Sequence, residues 1–317
     1  MDTVACVESI LGMQSTSIRV IVCDNCSTDD SFVEMSKFFS RNSNISELGG
    51  YLEVDVKDCD FNGSADPFLT LVQVGENNGY AAGNNAGIKI ALSKFNMRAI
   101  WILNNDTILD NRAFHELINA SNRFGNEYIL GSALCDLDSP NKIQMLGGRL
   151  NKMLGVPIKI GKNKDIRSYA EIFDVDYVCG ASIFIPKEVI LSIGVMDERY
   201  FLYWEETDYC FRFSFITGKK PKCVPTSVVF HKEGAKVGRR TFTQRNLDAI
   251  NCMRFFTRFF PIYAISVFFI KPVVDIYSAA KNGELSLSWF YISWHWFFVA
   301  IRASKSTSTR KLLDKKV

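Results

Sequence analysis

The chain has 317 residues, of which 47% are hydrophobic and 22% charged. That balance is globular and excludes a disordered tail protein or a coiled coil, and 20 glycines and 8 prolines exclude a collagen-like or linker-like chain. The net charge of +3 is too small to make nucleic acid the main partner, and the length fits two domains or one large α/β domain with an appendage. Nine cysteines, odd in number and scattered, read as reduced buried thiols rather than a disulfide framework. Cys23 and Cys26 form a lone C-x-x-C with no second pair, which argues against a zinc knuckle. Residues 1–12 lack a basic start followed by an apolar run, so no signal peptide is read and the cytoplasm is the expected compartment.

In chain order, residues 18–23 (Ile-Arg-Val-Ile-Val-Cys) predict a buried parallel strand that runs into a polar turn, Asp24 to Ser31, and a helix start. Residues 41–67 are polar and irregular and predict an insertion or mobile loop. A second strand is expected at 68–74, a helix from about 81 to 94 after Asn77-Asn78-Gly79-Tyr80, and a third strand at 99–103 that runs into Asn104-Asn105-Asp106-Thr107. Strands separated by helices predict a mostly parallel sheet with right-handed crossovers, and ligands bind such sheets at the carboxyl ends of the strands. All three polar clusters lie at such ends. Residues 143–170, with Gly147-Gly148 and Lys159, Lys162 and Lys164, predict a surface loop. Residues 174–185 return to an apolar strand, and Pro186 opens a short helix.

Three places carry residues suited to chemistry. Asp106 ends a buried strand, where a carboxylate is either a turn residue or a ligand for a hard divalent cation that bridges phosphates. Glu205, Glu206 and Asp208 follow an aromatic run at the start of a helix expected to end near Gly218. They either stabilise the helix N-terminus or provide a partly buried general base. His231, one of three histidines, ends the strand 227–231 and is either structural or a second metal ligand beside Asp106. Gly79, Gly83 and Gly87 allow close backbone approach among asparagines, but the spacing is neither G-x-G-x-x-G nor a P-loop. This excludes the usual dinucleotide oxidoreductase and P-loop kinase signals. The absence of a Gly-rich, basic phosphate loop near the start argues against a nucleotidyltransferase.

Taken in order, Val-Ile-Val-Cys-Asp24-Asn25, Asn77-Asn-Gly79-Tyr-Ala-Ala-Gly83-Asn-Asn85, Leu-Asn-Asn105-Asp106, Gly180-Ala-Ser, Asp197 to Arg212 and His231 resemble the family-two glycosyltransferases. The nearest resemblance is to the rhamnosyltransferase-like branch of bacterial polysaccharide synthesis, over about residues 2–260. It implies an α/β, GT-A (Rossmann-like) fold with a mostly parallel sheet flanked by helices. It also implies that Asp24 holds the nucleotide base and that Asn25, Asn77, Gly79, Asn85 and Asn105 line the nucleotide-sugar site. Asn104-Asn105-Asp106 stands where the family carries Asp-x-Asp, which makes Asp106 the principal ligand of Mg²⁺ or Mn²⁺, with His231 near the metal and diphosphate. Glu206 stands where the family has its catalytic base, with Glu205 and Asp208 as rivals. The implied reaction is inverting transfer of a sugar, rhamnose being one choice, from a nucleoside-diphosphate donor to a glycan or lipid-linked acceptor. A catalytically inactive nucleotide-sugar-binding or scaffolding relative is the alternative. The family's first apolar strand, which would lie inside the sheet, has no counterpart before residues 2–11. Its absence is expected to leave two unpaired strand edges or an altered strand order.

A boundary is expected near residue 240, between a catalytic domain (1–240) and a C-terminal region (241–317). Residues 241–260 predict an amphipathic helix with interspersed cations. Residues 261–274 and 288–301 are apolar and aromatic but too short to span a bilayer comfortably. Flanked by Arg258, Lys271, Arg302 and Lys305, and followed by a basic tail, they predict an interfacial contact on the inner face of the membrane. The alternative is a helical hairpin packed on the catalytic domain or on a second subunit of a homo-oligomer.

Overall fold

β-Branched apolar runs that end in polar turns form the strands, and the stretches between them form the helices. The computed structural model describes residues 2–13, 15, 17–56, 66–232 and 242–281. In chain order, α1 (Asp2–Leu11) precedes β1 (Val20–Asp24), α2 (Ser31–Arg41), α3 (Ser43–Leu48), β2 (Tyr51–Asp55) and β3 (Leu69–Gln73). Next come α4 (Tyr80–Lys94), β4 (Ala99–Leu103), β5 (Thr107–Leu109), α5 (Ala113–Arg123) and β6 (Leu130–Asp136). A set of short strands follows: β7 (Ile143–Met145), β8 (Gly148–Asn151), β9 (Val156–Lys159) and β10 (Phe173–Asp174). β11 (Ser182–Pro186), α6 (Lys187–Ile193), α7 (Glu205–Thr217) and β12 (Lys222–His231) lead to α8 (Phe242–Phe259) and α9 (Pro261–Lys281).

The strands form two principal sheets. The first has the order β1-β3-β2 and is parallel throughout. The second runs β10-β12-β6-β11-β4, with β5 on β12 and β7 on β6. In it β12 and β6 are parallel, whereas β4–β11 and β11–β6 are antiparallel. Among the described residues, β1 pairs only with β3, and β4 only with β11. Among the described residues no strand joins β1 to β4, so the two sheets are separate there.

Three expectations change. Within 41–67, residues 43–48 form α3 and 51–55 form β2, while 57–65 lie outside the described residues. The strand hides in a polar sequence because it is an edge, half-buried along its length, with Glu53 exposed. Residues 143–170 are not a surface loop: Ile143, Met145, Leu146 and Gly147 sit against the core while Lys159 and Lys162 face outward. The apolar stretch 174–185 is split, with strand only at 173–174 and 182–186.

The expected boundary at 240 is crossed by one hydrophobic core. Phe255, Phe256 and Cys252 of α8 and Val267 of α9 pack with Leu150, Tyr200, Trp204 and Phe211. A polar tie reinforces it. Asp208, at the start of α7, is fully buried and accepts from the Tyr200 hydroxyl (3.0 Å) and from Arg258 of α8 (2.9 and 3.1 Å). No helix among the described residues is long and apolar enough to cross a membrane, and residues 288–301 and the basic tail lie outside those residues.

Removing one partner of a buried ion pair strands the other charge. Arg258→Ala should lower unfolding stability by about 3 kcal/mol in urea melts. A loss under about 0.5 kcal/mol, the value of an exposed pair, would show that the tie adds little.

Candidate active site

The site grows from the carboxyl ends of β1, β4 and β12 and from the start of α7. At the end of β1, Asp24 is buried and accepts from the Ser27 amide (3.1 Å) and hydroxyl. Asn25 donates to Asn77 Oδ1 and to the Gly79 carbonyl, both at 3.1 Å, and Asn77 in turn accepts from the Gly79 amide (3.2 Å). Three predicted residues, Asn25, Asn77 and Gly79, are thus joined by hydrogen bonds beside Asp24. The side-chain oxygen of Asn25 is buried without a donor.

Gly79 has φ +91°, and a Cβ there would lie 2.2 Å from the Phe201 carbonyl oxygen. The same carbonyl accepts from the Tyr80 amide (3.0 Å), so the start of α4 is seated on the segment before α7. Asn85 has a different place from the one expected. It is fully buried, its amide donates to the Met196 carbonyl and to Glu198 (both 2.9 Å), and its oxygen accepts from the Met196 amide (3.0 Å). It straps α4 to the 196–201 segment and presents no free group to a ligand. Gly87 likewise serves packing: a Cβ there would meet Cys23 Sγ at 3.0 Å.

At the end of β4, Asn105 is exposed and donates to Thr3 of α1 (3.1 Å), while Asp106 is half-buried. The Asp106 Oδ1 atom is buried, has no hydrogen bond, and lies 3.3 Å from His231 Nε2. Gln144 on β7 fixes the imidazole: its Nε2 donates to the His231 carbonyl (2.7 Å), and its Oε1 lies 2.9 Å from His231 Nδ1. A carbonyl oxygen only accepts, so Nδ1 carries a proton toward Gln144, and Nε2 is aimed at Asp106, as a donor when it too is protonated and as an acceptor when it is not. Two acceptors that face each other need a proton or a cation between them. Burial raises the Asp106 pKa, but the His231 contact outweighs it and holds the carboxylate below its ordinary range. The donor set, one carboxylate oxygen and one imidazole nitrogen, fits Mg²⁺ or Mn²⁺ completed by phosphate oxygens and water. No group of three or more His, Cys, Asp or Glu gathers among the described residues. Gln144 has no motif of its own in the sequence. Only the pairing of β7 with β6, next to β12, brings it to His231.

The third component is the start of α7. Tyr203 (φ 72°) and Trp204 (φ 75°) are consecutive left-handed residues without a glycine, a costly arrangement characteristic of functional sites. The Trp204 indole donates to Asp248 of α8 (2.9 Å) and so helps to hold the turn. Glu205 and Glu206 follow, and each keeps one buried carboxylate oxygen without a partner. Burial pushes Glu205 up to about 8, with the charge of Glu206 adding to the effect. Burial also raises Glu206, helped by Asp248. Asp208 differs: both of its oxygens are bonded and no surface is open, so it positions α7 and has no free lone pair for proton abstraction.

Gly180-Ala181 links these components. The Gly180 carbonyl accepts from the Tyr80 hydroxyl (2.6 Å), a Cβ on Gly180 would lie 3.9 Å from Glu206 Cβ, and the Ala181 carbonyl accepts from the Asn104 amide (3.1 Å). The starts of α4 and α7 and the end of β4 therefore meet at one turn.

Comparison with known proteins bears on this arrangement. No family model matches the chain. A low-salt glycan biosynthesis hexosyltransferase of Haloferax volcanii, Agl10, is 28% identical over 146 residues, which is 45% of this chain and 46% of that protein. The chain thus matches about half the length of that relative. The crystal structure of GalNAc-T7 with UDP, GalNAc and Mn²⁺ superposes with a TM-score of 0.55 at 12% identity, over 79% of this chain and 44% of that one. A mannosyltransferase of Pyrobaculum calidifontis in complex with GDP-Man and Mn²⁺ aligns over 100% of both chains, with a TM-score of 0.45 and 13% identity.

The raised glutamates have a consequence for stability. The folded chain keeps a proton on Glu205 up to about pH 8, whereas the unfolded chain loses it near a pKa of about 4.3. The folded state binds more protons across that window, so stability falls as pH rises from about 5 to about 8. Glu205→Gln should flatten that slope and leave the variant more stable than the parent by at least about 1 kcal/mol at pH 8. Parallel slopes for parent and variant in thermal melts would show that Glu205 titrates normally. The chain has the α/β fold of the GT-A glycosyltransferases, with sequence homology to a glycosyltransferase over 146 residues.

Proposed function

We propose that the chain is a metal-dependent, inverting glycosyltransferase that moves a hexosyl group, rhamnose being one choice, from a nucleoside-diphosphate donor to a glycan or lipid-linked acceptor. The observation that carries this reading is the buried Asp106 oxygen that faces His231 Nε2 at 3.3 Å at the end of β12. Asp24 and the Asn25–Asn77–Gly79 turn would seat the nucleotide, with Asn105 at the opposite rim. Asp106 and His231 would hold the divalent ion, which when bound neutralises the charge of the departing diphosphate.

Glu206 is the residue proposed as base. It sits beside the Gly180 turn, and an ionised carboxylate there would take the proton of an acceptor hydroxyl as that oxygen attacks the anomeric carbon. Glu205 holds a proton near neutral pH and keeps the net charge of the pair low. Burial raises Glu206 as well, so transfer should rise with pH as Glu206 loses its proton, and a flat pH profile would count against it as the base. Tyr80, Trp204 and the aromatic segment around them exclude water from that carbon.

A second reading, a catalytically inactive nucleotide-sugar-binding or scaffolding relative, is favoured by the interruption between β1 and β4. One set of assays separates the two. Asp106→Asn should abolish the metal-dependent part of nucleotide binding measured by calorimetry with UDP, GDP and dTDP and Mn²⁺. Glu206→Gln should keep that binding and lose about 10²–10⁴-fold in transfer. Nucleotide binding without turnover in the parent would favour the inactive relative, and binding unaffected by Asp106→Asn would remove Asp106 from the site.

A peripheral contact with the inner membrane face belongs to the same proposal. Ile262, Ile265, Phe269, Val273 and Tyr277 recur at helical spacing on α9 and are exposed, Ile262 by 82% and Phe269 by 68%. Such a stripe suits the headgroup boundary near a lipid-linked acceptor. Ile265→Glu combined with Phe269→Glu should reduce sedimentation with anionic vesicles at unchanged fold. Undiminished sedimentation would place the contact elsewhere.

A further inference from the structure

Lys271 lies on the inner face of α9 and is only 4% exposed. Ala264 and Val267 on the same face are apolar and belong to the aromatic core around α8. An ammonium in such a place gives up its proton unless negative charge meets it. Here Nζ lies 3.0 and 2.9 Å from the two oxygens of Asp275, one turn further on, and 3.6 Å from Asp248 Oδ2 of α8. Burial alone would lower the Lys271 pKa, but the Asp248 and Asp275 charges outweigh it and hold the ammonium above its ordinary range. The stem is walled in as well. A Cβ on Gly155, in the turn between β8 and β9, would lie 3.3 Å from Lys271 Cδ and 2.7 Å from Val267.

The other oxygen of Asp248 accepts from the Trp204 indole (2.9 Å). One connected chain of contacts thus runs from α9 through Asp248 to the left-handed turn that carries Glu205 and Glu206. Stability does not account for this choice of residues. Apolar side chains of similar volume would join α8 and α9 as well or better, because desolvating a buried ion pair costs about what its attraction returns. What the ionic version adds is charge beside the glutamates. Two carboxylates and one ammonium leave one negative charge in excess, and Asp248 brings it to the site. Burial raises Glu206, and from outside α7 the Asp248 charge raises it further. Other titratable groups around Glu206 are Glu205 and Cys210 on α7, Tyr80 on α4, and Tyr177 and Cys179 ahead of β11. Burial pushes Tyr80, Tyr177 and Cys210 up, so these three stay neutral at pH 7 while Asp248 acts on the glutamates as a charge.

We infer that Asp248 and Lys271 are positioning residues for the Glu205–Glu206 pair: Asp248 fixes the Trp204 indole, and with it the turn from which the pair emerges, and Lys271 offsets part of the Asp248 charge. The two then act in opposite directions. Asp248 disfavours ionisation of the pair, and Lys271 favours it by weakening the field of Asp248. The C-terminal helices therefore take part in setting the protonation of the pair as well as in holding its frame. A role in sugar transfer rests on the proposed reading of Glu206 as base, whereas the charge relation does not.

The test needs no substrate. The full chain is labelled with ¹³C-glutamate and the side-chain carboxyl signals are followed against pH, with Glu205→Gln and Glu206→Gln identifying the pair. The two carboxyls titrate in coupled steps, so the apparent midpoints of the pair are compared. Asp248→Asn keeps an oxygen for the indole and removes the charge, and should lower the midpoints by about half a pH unit or more. Lys271→Met keeps an unbranched apolar stem and removes the counter-charge, and should raise them. In the Asp248→Asn background Lys271→Met should move them less than it does alone, because Lys271 acts through Asp248. Unmoved midpoints, or shifts in the same direction for both single variants, would overturn the proposal whatever the loss in Tm, since a purely structural tie lowers Tm without opposite shifts. Should Lys271→Met fail to fold, Asp248→Asn decides alone, and midpoints that do not fall overturn the proposal. Opposite shifts with sugar transfer unimpaired in Glu206→Gln would sustain the roles of Asp248 and Lys271 toward the pair and overturn Glu206 as the base.

Discussion

The buried Asp208 carboxylate is the constraint on which the rest of the site depends. It has no contact with solvent, so it is stable only while Arg258 and Tyr200 remain bonded to it. Those two bonds fix α8 and the 197–201 segment relative to the first turn of α7. Within that frame Tyr203 and Trp204 are held left-handed, and Glu205 and Glu206 emerge in an apolar surround that keeps a proton on the pair. The C-terminal helices are therefore part of the site's foundation, because the aromatic core of α8 packs directly on Tyr200, Trp204 and Phe211.

The opposite wall follows a different electrostatic logic. Glu205 and Glu206 are raised by burial without a counter-charge, whereas Asp106 is lowered by the adjacent imidazole. Carboxylates in two such environments are suited to separate tasks, one to exchange a proton and one to remain charged. Gln144 orients the imidazole by accepting from Nδ1, which aims Nε2 at Asp106. The Gly180-Ala181 turn keeps the two walls in register through hydrogen bonds of 2.6 and 3.1 Å.

The interrupted sheet sits between these walls. Each half has its own core: Phe39, Ile45, Leu69 and Leu71 on the β1 side, and Ile102, Ala133, Ile183 and Ile185 on the β4 side. Asp24 and Asn25 stand at one rim of that gap and Asn104 and Asn105 at the other.

Much of this was legible in the sequence. Apolar runs followed by polar turns located β1, β3, α4, β4, α7 and the end of β12, because local periodicity and cap chemistry act within a few residues. The same ordered motifs singled out Asp24, Asp106, Glu205, Glu206 and His231. Composition misled where an edge strand was polar, at 51–55, and where a basic exterior concealed buried Ile143 and Met145. Only the tertiary structure decided that Asn85 is a strap and Asp208 a buried anchor, that Gln144 orients His231, and that the chain on either side of residue 240 shares one core. The physical reason is separation along the chain. Asn85 meets Met196, Gln144 meets His231 and Asp208 meets Arg258 across 50 to 111 residues, and whether a polar side chain faces a ligand or a buried partner depends on what the fold brings to it.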